Sequence, residues 1–479
     1  MPPPAAEELA LGLSQQDRSP AAERTRTHGL PAALGAVALA AVVIASGYLA
    51  IGAAGGDYLL ELGATPGWVY GPLRVLAGAG DWLQPPQLSA GLIVLVLGYL
   101  LALACAGSIP LRLALAAIVL ANVAFTLGPT IVSSDVFGYI AYGRELARHG
   151  LDPYVAPPQS LARDGILRFV YWKHQPSPYG PLFTFLSVPL GLVSTAVALW
   201  VFKVLAGAAS IAIAFMLAAL ARRRGSDPAR AAILVGLNPA VLFYAVSGAH
   251  NDLLAVCLAV LGLALALAGR EAAGAGAAVA AGAIKLTVGL ALPFVALAAR
   301  RRGRALAGAA LVAVLLGIPT LILFGAHFVH QLQRISTDPL FDTLFSGPDR
   351  IAWALGTHIT PAIRALCTAG AGLVAVGAIV WSWRGGDALT AAGWAFLALL
   401  ASIASFAPWY LLWLLPFAAL GRSRALRVGA LLLTIYVIAV HLPAFGGVPW
   451  LSQAPGSTGR TTMIAALPGG PGLGAQPPM

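Results

Sequence analysis

The sequence predicts an all-α polytopic membrane protein. Of its 479 residues, 59% are hydrophobic and only 10% are charged, and the mean hydropathy is +0.83. A soluble domain carries about 25% charged residues, so this chain has too few charged side chains to cover a water-facing surface. Apolar runs of about 20 residues, the length that a helix needs to cross the hydrocarbon core, recur along the chain.

Both ends of the chain are predicted to be disordered. Residues 1–30 are polar and proline-rich, and residues 444–479 are rich in glycine and proline and nearly uncharged. The first segment lacks the apolar stretch that follows the basic start of a signal peptide, so we expect a cytoplasmic tail. Residues 31–443 between these tails are predicted to form one transmembrane domain.

Nine apolar runs are predicted to be transmembrane helices from their length alone. They are residues 31–52, 88–106, 111–128, 229–246, 252–268, 305–324, 361–383, 388–407 and 425–442. Three other regions are less regular. Residues 181–221 are long enough for two helices, residues 272–299 contain Lys285 near their middle, and residues 408–420 are short and contain Pro416.

Arginine clusters predict the orientation. They lie in the N-terminal tail and in residues 222–230, 300–304 and 422–427. Loops rich in Lys and Arg stay in the cytoplasm, which gives about 13 crossings with the N-terminus inside and the C-terminus outside. In this topology residues 272–299 form two short crossings with Lys285 at the outer turn. The first part of residues 181–221 becomes a re-entrant or interfacial segment.

Charge and cysteine usage argue against other classes of protein. The net charge is +11, which in a soluble protein would favour binding to nucleic acid. Here the basic residues lie between apolar runs, so no nucleic-acid partner is expected. Cys105, Cys257 and Cys367 all lie inside apolar runs, which predicts packing residues rather than disulfides or a zinc site. No Walker loop, Gly-rich strand–helix turn or HExxH motif occurs.

Two predicted outer loops, residues 129–180 and 325–360, are too long to be simple turns. Loops of this length are functional or disordered, and their aromatic residues argue against disorder. In the first loop, Asp135 opens a predicted amphipathic helix that lies in the outer interface, presents Arg144 and Glu145 on its polar face and ends at Gly150. Asp135 is either a functional carboxylate or a first-turn residue of a helix capped by Ser133 or Ser134, and the spacing alone leaves both open.

Tyr154 and Tyr179 lie in Pro-rich segments, 152–154 and 177–181, which alone favour turns with an interfacial aromatic anchor. His250, Asn251 and Asp252 follow one another at the outer mouth between two spans. Capping of the next helix explains one of these three residues. The His–Asp pair, which suits a sugar hydroxyl or a phosphate, favours a functional interpretation.

Lys285 is the most informative single residue, because a lysine between two short apolar segments is costly unless it is paired, solvated or snorkelling. At an outer turn its ammonium could bind a phosphate; the alternative is a snorkelling lysine that marks a turn, which is also the prediction for Lys203.

His327 and His330 could ligate a metal, but surface-loop histidines are the simpler interpretation. Trp409 and Tyr410 are most simply interpreted as part of the aromatic belt at the membrane interface, and the alternative is that they stack on the face of a sugar.

Taken in order, these segments resemble one family, the polyprenyl-phosphate-mannose-dependent α-1,6-mannosyltransferases of bacterial envelope synthesis, within the GT-C glycosyltransferase superfamily. The matching residues are 134–144 with 152–154, 177–182, 238–239 with 248–252, 284–285 and 408–413. The resemblance implies a GT-C-like fold with amphipathic helices in the first large outer loop. It also implies an enzyme of the bacterial plasma membrane that works on the extracytoplasmic face.

By this resemblance Asp135 is the catalytic base, which deprotonates an acceptor hydroxyl that attacks the donor in a single inverting displacement. Lys285, assisted by His250 or Arg144, would hold the phosphate of the polyprenyl-phosphate-mannose donor. The substrate-binding residues implied are Asn251, Asp252, Tyr179, Tyr154, Trp409 and Tyr410. The implied partners are that donor, a mannan or glycolipid acceptor, and the lipid bilayer.

The chain departs from the superfamily in one respect. Related members often carry a pair of acidic residues in the first loop, whereas Asp135 here stands alone, so neither a metal nor another cofactor is expected. Two alternatives remain. One is a GT-C transferase for another lipid-linked sugar, and the other is a secondary transporter with an intramembrane charge such as Lys285. Against the transporter, the halves show no repeat and the polar residues cluster at the outer face.

Overall fold

A computed structural model describes residues 20–56, 66–78 and 83–442 of the chain, with side chains from residue 30 onward except that of residue 337. Every regular element in these residues is helical. The α-helices of six or more residues are α1 (Pro20–Gly55), α2 (Pro85–Ala104), α3 (Leu111–Leu127), α4 (Asp135–His149), α5 (Pro181–Leu192), α6 (Thr195–Arg223), α7 (Pro228–Gly236), α8 (Asp252–Leu267), α9 (Glu271–Ile284), α10 (Ala291–Ala298), α11 (Arg302–Phe324), α12 (His327–Thr337), α13 (Gly347–Ala354), α14 (Pro361–Trp383), α15 (Ala388–Ser402), α16 (Leu415–Leu420) and α17 (Arg424–Val440).

The prediction of an all-α polytopic membrane protein is confirmed. Five helical segments are long and apolar enough to cross a bilayer: Leu30–Gly55, Pro85–Ala104, Thr195–Arg223, Arg302–Phe324 and Pro361–Trp383. Shorter apolar helices of 10–17 residues pack among them, and the count of about 13 crossings stays a prediction.

The predicted tails lie largely outside the described residues. Residues 1–19 and 443–479 fall outside, whereas α1 begins at Pro20. Residues 20–30 are therefore helical, which corrects the prediction of disorder up to residue 30. Proline suits a first helical turn, and the alanines and Glu23 that follow it are strong helix formers.

The irregular apolar regions break at polar residues or prolines. Residues 181–221 divide into the short α5 and the long α6, whose N-cap Ser194 accepts a hydrogen bond from the Val197 N–H at 3.3 Å. Residues 272–299 divide at Lys285, whose extended backbone ends α9. Both breaks match the predicted divisions.

The prediction that residues 229–246 form one continuous transmembrane helix is wrong. α7 ends at Gly236, and a π-helical turn, Val241–Val246, follows after Asn238 and Pro239. Pro239 has no N–H for the helix ladder. The Asn238 side-chain oxygen Oδ1 instead accepts the Ala240 N–H at 3.0 Å, and the Asn238 side-chain NH₂ donates to Tyr99 Oη at 3.1 Å.

The helix predicted in the first outer loop is present, but its predicted polar face is not exposed. α4 starts at Asp135 and ends at Gly150, whose φ of +61° is left-handed. Both Arg144 and Glu145 are buried, because α5 packs so closely that a Cβ on Gly143 would lie 2.3 Å from the Ser187 carbonyl oxygen. Burial raises the pKa of Glu145 to about 9, so its carboxyl is neutral at physiological pH. The helix lies inside the protein rather than in the interface.

The two long loops that are predicted to lie outside pack against each other. His327 Nδ1 lies 2.7 Å from an Asp152 carboxylate oxygen, and the Gln331 amide donates to the Pro176 carbonyl at 3.0 Å. These contacts place α12 over the first loop. They also give His327 a hydrogen-bonding partner in that loop.

Candidate active site

Asp135 opens the site at the first residue of α4. The preceding turn has a left-handed residue, Val132 (φ 68°), and Ser133 Oγ accepts the Asp135 N–H at 3.2 Å. The Asp135 side chain is 14% exposed, and its Oδ2 lies 3.6 Å from His250 Nδ1. Burial raises the pKa of Asp135 to about 6, while the nearby Lys285 ammonium lowers it and Asp252 raises it further.

His250, Asn251 and Asp252 are buried behind Asp135, in the turn that begins α8. Asn251 occupies the N-cap position of α8, but its side chain makes no capping hydrogen bond. Asp252 accepts the Trp413 indole N–H at 2.7 Å and lies 3.6 Å from Lys285 Nζ. Burial and the positive charge of Lys285 lower the pKa of His250, so its ring is neutral.

Lys285 lies at the break between α9 and a 3-10 turn, Leu286–Leu290. Its side chain is 15% exposed, and its ammonium lies 4.8 Å from the Tyr410 ring centroid and 5.4 Å from that of Tyr179. Cations are attracted to aromatic faces at such distances. In this cluster Asp135 and Lys285 remain reachable, whereas His250 and Asp252 lie behind them. One cluster thus contains a partly exposed carboxylate able to accept a proton and a partly exposed cation able to hold an anion.

Aromatic rings surround this charged cluster. The His250 ring stacks on Trp409, with centroids 3.6 Å apart, and Tyr410 stacks on Trp413 at 4.2 Å. Tyr139, one turn after Asp135 in α4, accepts the Asn251 N–H at 3.4 Å. The rings limit the access of water, which strengthens electrostatic interactions inside the site.

Two backbone contacts hold the separate segments together. The Gly180 N–H donates to the Ile284 carbonyl at 3.0 Å, and a Cβ on Gly180 would lie 2.1 Å from the Ala283 carbonyl oxygen. Only glycine lets the segment that carries Tyr179 approach Lys285 this closely.

Lys203 makes the second link. Its ammonium donates to the Pro129 carbonyl at 3.1 Å and to the Ser247 carbonyl at 2.9 Å. These two residues precede Asp135 and His250 in the chain. Lys203 is fully buried, so the prediction that it snorkels is wrong, because carbonyl partners are available inside the bundle.

No three His, Cys, Asp or Glu side chains converge to hold a metal ion anywhere in the described ranges. The expectation of a reaction without metal or cofactor stays a prediction.

Comparison with known families gives the class of the enzyme. A family model described as "Alpha-(1->6)-mannopyranosyltransferase, N-terminal domain" matches residues 33–301, and the model of glycosyltransferase family 87 matches residues 178–440. Each covers more than half of the 479 residues. The chain belongs to the α-(1→6)-mannopyranosyltransferase family.

Three relatives show the extent of the similarity. α-(1→6)-Mannopyranosyltransferase A of Mycobacterium tuberculosis is 28% identical over 361 residues, which cover 68% of this chain and 69% of the relative. The enzyme of the same name from Corynebacterium glutamicum is 29% identical over 34% of each chain. A probable α-(1→6)-mannopyranosyltransferase of Mycolicibacterium smegmatis is 33% identical over 32% of this chain and 28% of the relative. No solved structure gives a significant match.

These matches confirm the resemblance predicted from the motifs, including its GT-C type. This α-(1→6)-mannosyltransferase family member is a glycosyltransferase and a multi-pass membrane protein. The transporter interpretation has no support from them.

The fold of this mannosyltransferase brings most of the predicted site residues together. A connected series of pairwise contacts, partly through Tyr139, links Asp135, Tyr179, His250, Asn251, Asp252, Lys285, Trp409 and Tyr410. Arg144 and Tyr154 contact other partners. Arg144 pairs with Asp164 at 2.5 Å, about 13 Å along α4 from Asp135, and Tyr154 Oη hydrogen-bonds Thr184 Oγ1 at 2.8 Å.

Tyr139 and Lys203 contribute to the site in ways that were not predicted from the sequence. Tyr139 lies four residues after Asp135, a spacing that places both side chains on one face of a helix. That signal was available from the sequence. The partners of Lys203 are backbone carbonyls, which no sequence pattern reveals.

Proposed function

We propose that this mannosyltransferase moves mannose from a polyprenyl-phosphate-mannose donor to a hydroxyl of a mannan or glycolipid acceptor, at the extracytoplasmic face of the plasma membrane. One observation carries the proposal. The partly exposed Asp135 carboxylate and Lys285 ammonium belong to one cluster, in which His250 and Asp252 contact them from the buried side.

Asp135 acts as the general base. The acceptor hydroxyl transfers its proton to the carboxylate as its oxygen forms a bond to the anomeric carbon of mannose. The bond between that carbon and the phosphate oxygen breaks, and its electron pair leaves with the polyprenyl phosphate. This single displacement inverts the anomeric centre, so a β-linked donor gives an α-linked product. The neutral His250 ring, 3.6 Å away, positions the base.

Lys285 holds the phosphate as negative charge develops on it. Its ammonium attracts the phosphate of the donor, and the surrounding rings make that attraction stronger than it would be in water. Asp252 keeps Lys285 in place, and Asp252 is itself held by the Trp413 indole. Arg144, paired with Asp164, supports the far end of α4 rather than the phosphate.

The remaining predicted residues would orient the sugars. Both polar atoms of the buried Asn251 side chain lack a hydrogen-bond partner, although buried polar groups are normally paired. Asn251 therefore retains capacity to bind hydroxyl groups when substrate is present. Tyr179, Trp409 and Tyr410 would contribute ring faces.

The charge distribution supports the orientation. Thr195, which contacts Arg144, begins α6, and the arginines at residues 222–224 lie at its other end. The 29 residues of this helix extend about 43 Å. Arginines of a short loop favour the cytoplasm, which puts the Asp135 end outside and the N-terminus inside. Nucleotide sugars are cytoplasmic, so a site on the outer face requires a lipid-linked donor.

A donor comparison tests the proposal. Purified protein in detergent would receive polyprenyl-phosphate-mannose, polyprenyl-phosphate-glucose or GDP-mannose, with a short α-mannoside acceptor, and the product linkage would be determined by NMR. We expect an α-linked mannoside from polyprenyl-phosphate-mannose alone. Transfer from the glucose lipid alone would favour the alternative sugar, and transfer from GDP-mannose alone would contradict the lipid-linked donor.

A further inference from the structure

Lys203 is a buried lysine that takes no part in the proposed transfer step. It lies eight residues after Thr195 in α6, about 12 Å along the helix from the end that contacts Arg144. A lysine at this depth in an apolar helix is costly unless polar groups meet its Nζ. Its side chain is fully buried, so its contacts inside the bundle must account for its position.

The two hydrogen-bond partners of Lys203 are carbonyl groups from separate parts of the chain. Its Nζ donates to Pro129 at 3.1 Å and to Ser247 at 2.9 Å. Both carbonyls lie just beyond the end of a helical element, α3 and the π-helical turn, where no further N–H of that element is available. The Trp200 ring centroid lies 5.8 Å from Nζ, a distance at which an aromatic face attracts a cation. Lys203 thus joins two segments that end different helical elements.

The two segments that Lys203 joins contain strained turns. In the described ranges three residues other than glycine have left-handed backbone angles, and two of them are Val132 (φ 68°) and Ala249 (φ 52°). This conformation is unfavourable for residues with a Cβ, most of all for a branched one, and persists only where the surrounding structure holds it. Val132 lies three residues before Asp135, and Ala249 directly precedes His250. The strained turns therefore present the proposed base and the ring beside it.

Two links flank the pair formed by Asp135 and His250. Asp135 Oδ2 lies 3.6 Å from His250 Nδ1, which is longer than a hydrogen bond, so the pair does not hold itself together. After the pair in the chain, the Asn251 N–H donates to Tyr139 Oη at 3.4 Å, which is long for a hydrogen bond. Before the pair, the two bonds of Lys203 are shorter, at 2.9 and 3.1 Å. Lys203 is therefore the firmer of the two links.

We propose that Lys203 is a positioning residue of the transfer reaction, which keeps Asp135 at its distance from His250 by holding the two turns that precede them. The proposal rests on the proposed function, because it takes Asp135 to be the base. Lys203 acts through the backbone, since its Nζ contacts carbonyls of both turns. Without it the turns relax and the carboxylate leaves its reactive geometry. Lys285 and Tyr410, which come from segments that Lys203 does not contact, still bind the substrates.

Steady-state kinetics of purified protein test this role, with polyprenyl-phosphate-mannose as donor and a short α-mannoside as acceptor. Lys203→Met keeps the length of the side chain but removes its N–H donors. A displacement of about 1 Å can cost 100-fold in rate, so we expect kcat to fall at least about tenfold. KM for both substrates should change by less than about threefold, because binding contacts are retained. Lys203→Gln keeps N–H donors on a side chain one bond shorter, so its kcat should lie between those of wild type and Lys203→Met.

Asn122→Leu is the matched control for the loss of a buried link. Asn122 is fully buried, and its amide donates to the Ile118 and Gly236 carbonyls at 2.8 and 3.2 Å. Like Lys203 it joins backbone carbonyls, but it does not hold the turns before Asp135 and His250. Asn122→Leu should lower Tm and keep the kcat of the wild type.

Hydrogen exchange of the backbone amides gives a second readout that does not depend on activity. In Lys203→Met, exchange should be faster in residues 130–138 and 247–252, with the rest of the bundle unchanged. In Asn122→Leu these two segments should exchange as in the wild type. If Lys203→Met yields no folded protein, Lys203→Gln takes its place in both measurements.

The outcomes separate this inference from the proposed function. If the wild type transfers mannose and the Lys203 variant keeps its kcat, or loses no more of it than Asn122→Leu, the positioning role is overturned and the function stands. If the wild type transfers no mannose, the proposed function fails. Hydrogen exchange then decides on Lys203: faster exchange confined to the two segments supports the positioning role, and exchange that is unchanged or faster throughout the bundle overturns it.

Discussion

At the scale of single residues, two opposite charges explain what the site can do. Asp135 must be ionised to accept a proton, and burial works against ionisation while Lys285 favours it. Lys285 must in turn remain free enough to meet a phosphate, although Asp252 lies 3.6 Å away. The proposed base and the proposed anion-binding group are therefore electrostatically coupled.

The pH dependence of transfer should report this coupling. Below a pH of about 6 the Asp135 carboxylate is protonated, so kcat/KM should fall on the acid side with a midpoint near that value. Lys285→Gln removes the cation that lowers the pKa of Asp135, so the remaining activity should show its acid limb at higher pH. Full pH profiles of both proteins measure this shift.

Lys173→Gln is a matched control, since Lys173 is an exposed lysine of the first outer loop. Its profile should coincide with that of the wild type. An acid limb that moves to lower pH in Lys285→Gln would show that Lys285 does not stabilise the ionised base.

Part of the site could be predicted from the residues alone. Asp135, His250 and Lys285 stand out because charged or polar side chains at a membrane boundary need a reason to be there. The partners of Arg144 and Tyr154 could not be foreseen, since Asp164 and Thr184 come from segments whose packing no periodic pattern describes.

At the scale of elements, the candidate active site is made of helix ends. Asp135 and Asp252 are the first residues of α4 and α8, and Lys285 follows the last residue of α9. The boundaries at Asp135 and Gly150 follow from residue type and spacing. The break before the π-helical turn was missed because the apolar run appears continuous, although Pro239 marks it.

Gly180→Ala should displace Tyr179 from Lys285. The added Cβ would meet the Ala283 carbonyl oxygen, and backbone cannot yield as a flexible side chain does. Displacement of catalytic groups by about 1 Å can cost 100-fold in rate, so we expect kcat to fall at least about tenfold. Gly165→Ala, in the same loop with open space around it, should leave kcat unchanged. Equal activities of the two variants would contradict the close contact.

At the scale of the whole molecule, the long apolar helices differ in how much of their surface is buried. The most apolar windows of α11 and α14 are only 11% buried, as expected for helices at the periphery that face lipid. Their composition could be recognised in the sequence. The number of crossings could not, because the short helices on either side of Lys285 and in residues 408–420 are too short to be assigned by hydropathy alone.

Cysteine accessibility should establish the orientation. The three native cysteines are half-buried and would be replaced by alanine. In that background, Val155→Cys in the first outer loop and Ser226→Cys beside the arginines of α6 both place a thiol at an exposed position. A membrane-impermeant maleimide should label only Val155→Cys in intact cells and both variants after lysis. The reverse pattern would place Asp135 in the cytoplasm and contradict the lipid-linked donor.

The most direct test of the account is mannose transfer by Asp135→Asn compared with wild type, at equal protein amounts in isolated membranes. Asp227→Asn makes the same chemical change at the N-cap of α7, where asparagine also caps, and should keep wild-type activity. Loss of a general base lowers rates by about 100-fold or more, and we expect that loss in Asp135→Asn alone. Transfer by Asp135→Asn at the wild-type rate would show that Asp135 only begins a helix and that the base lies elsewhere.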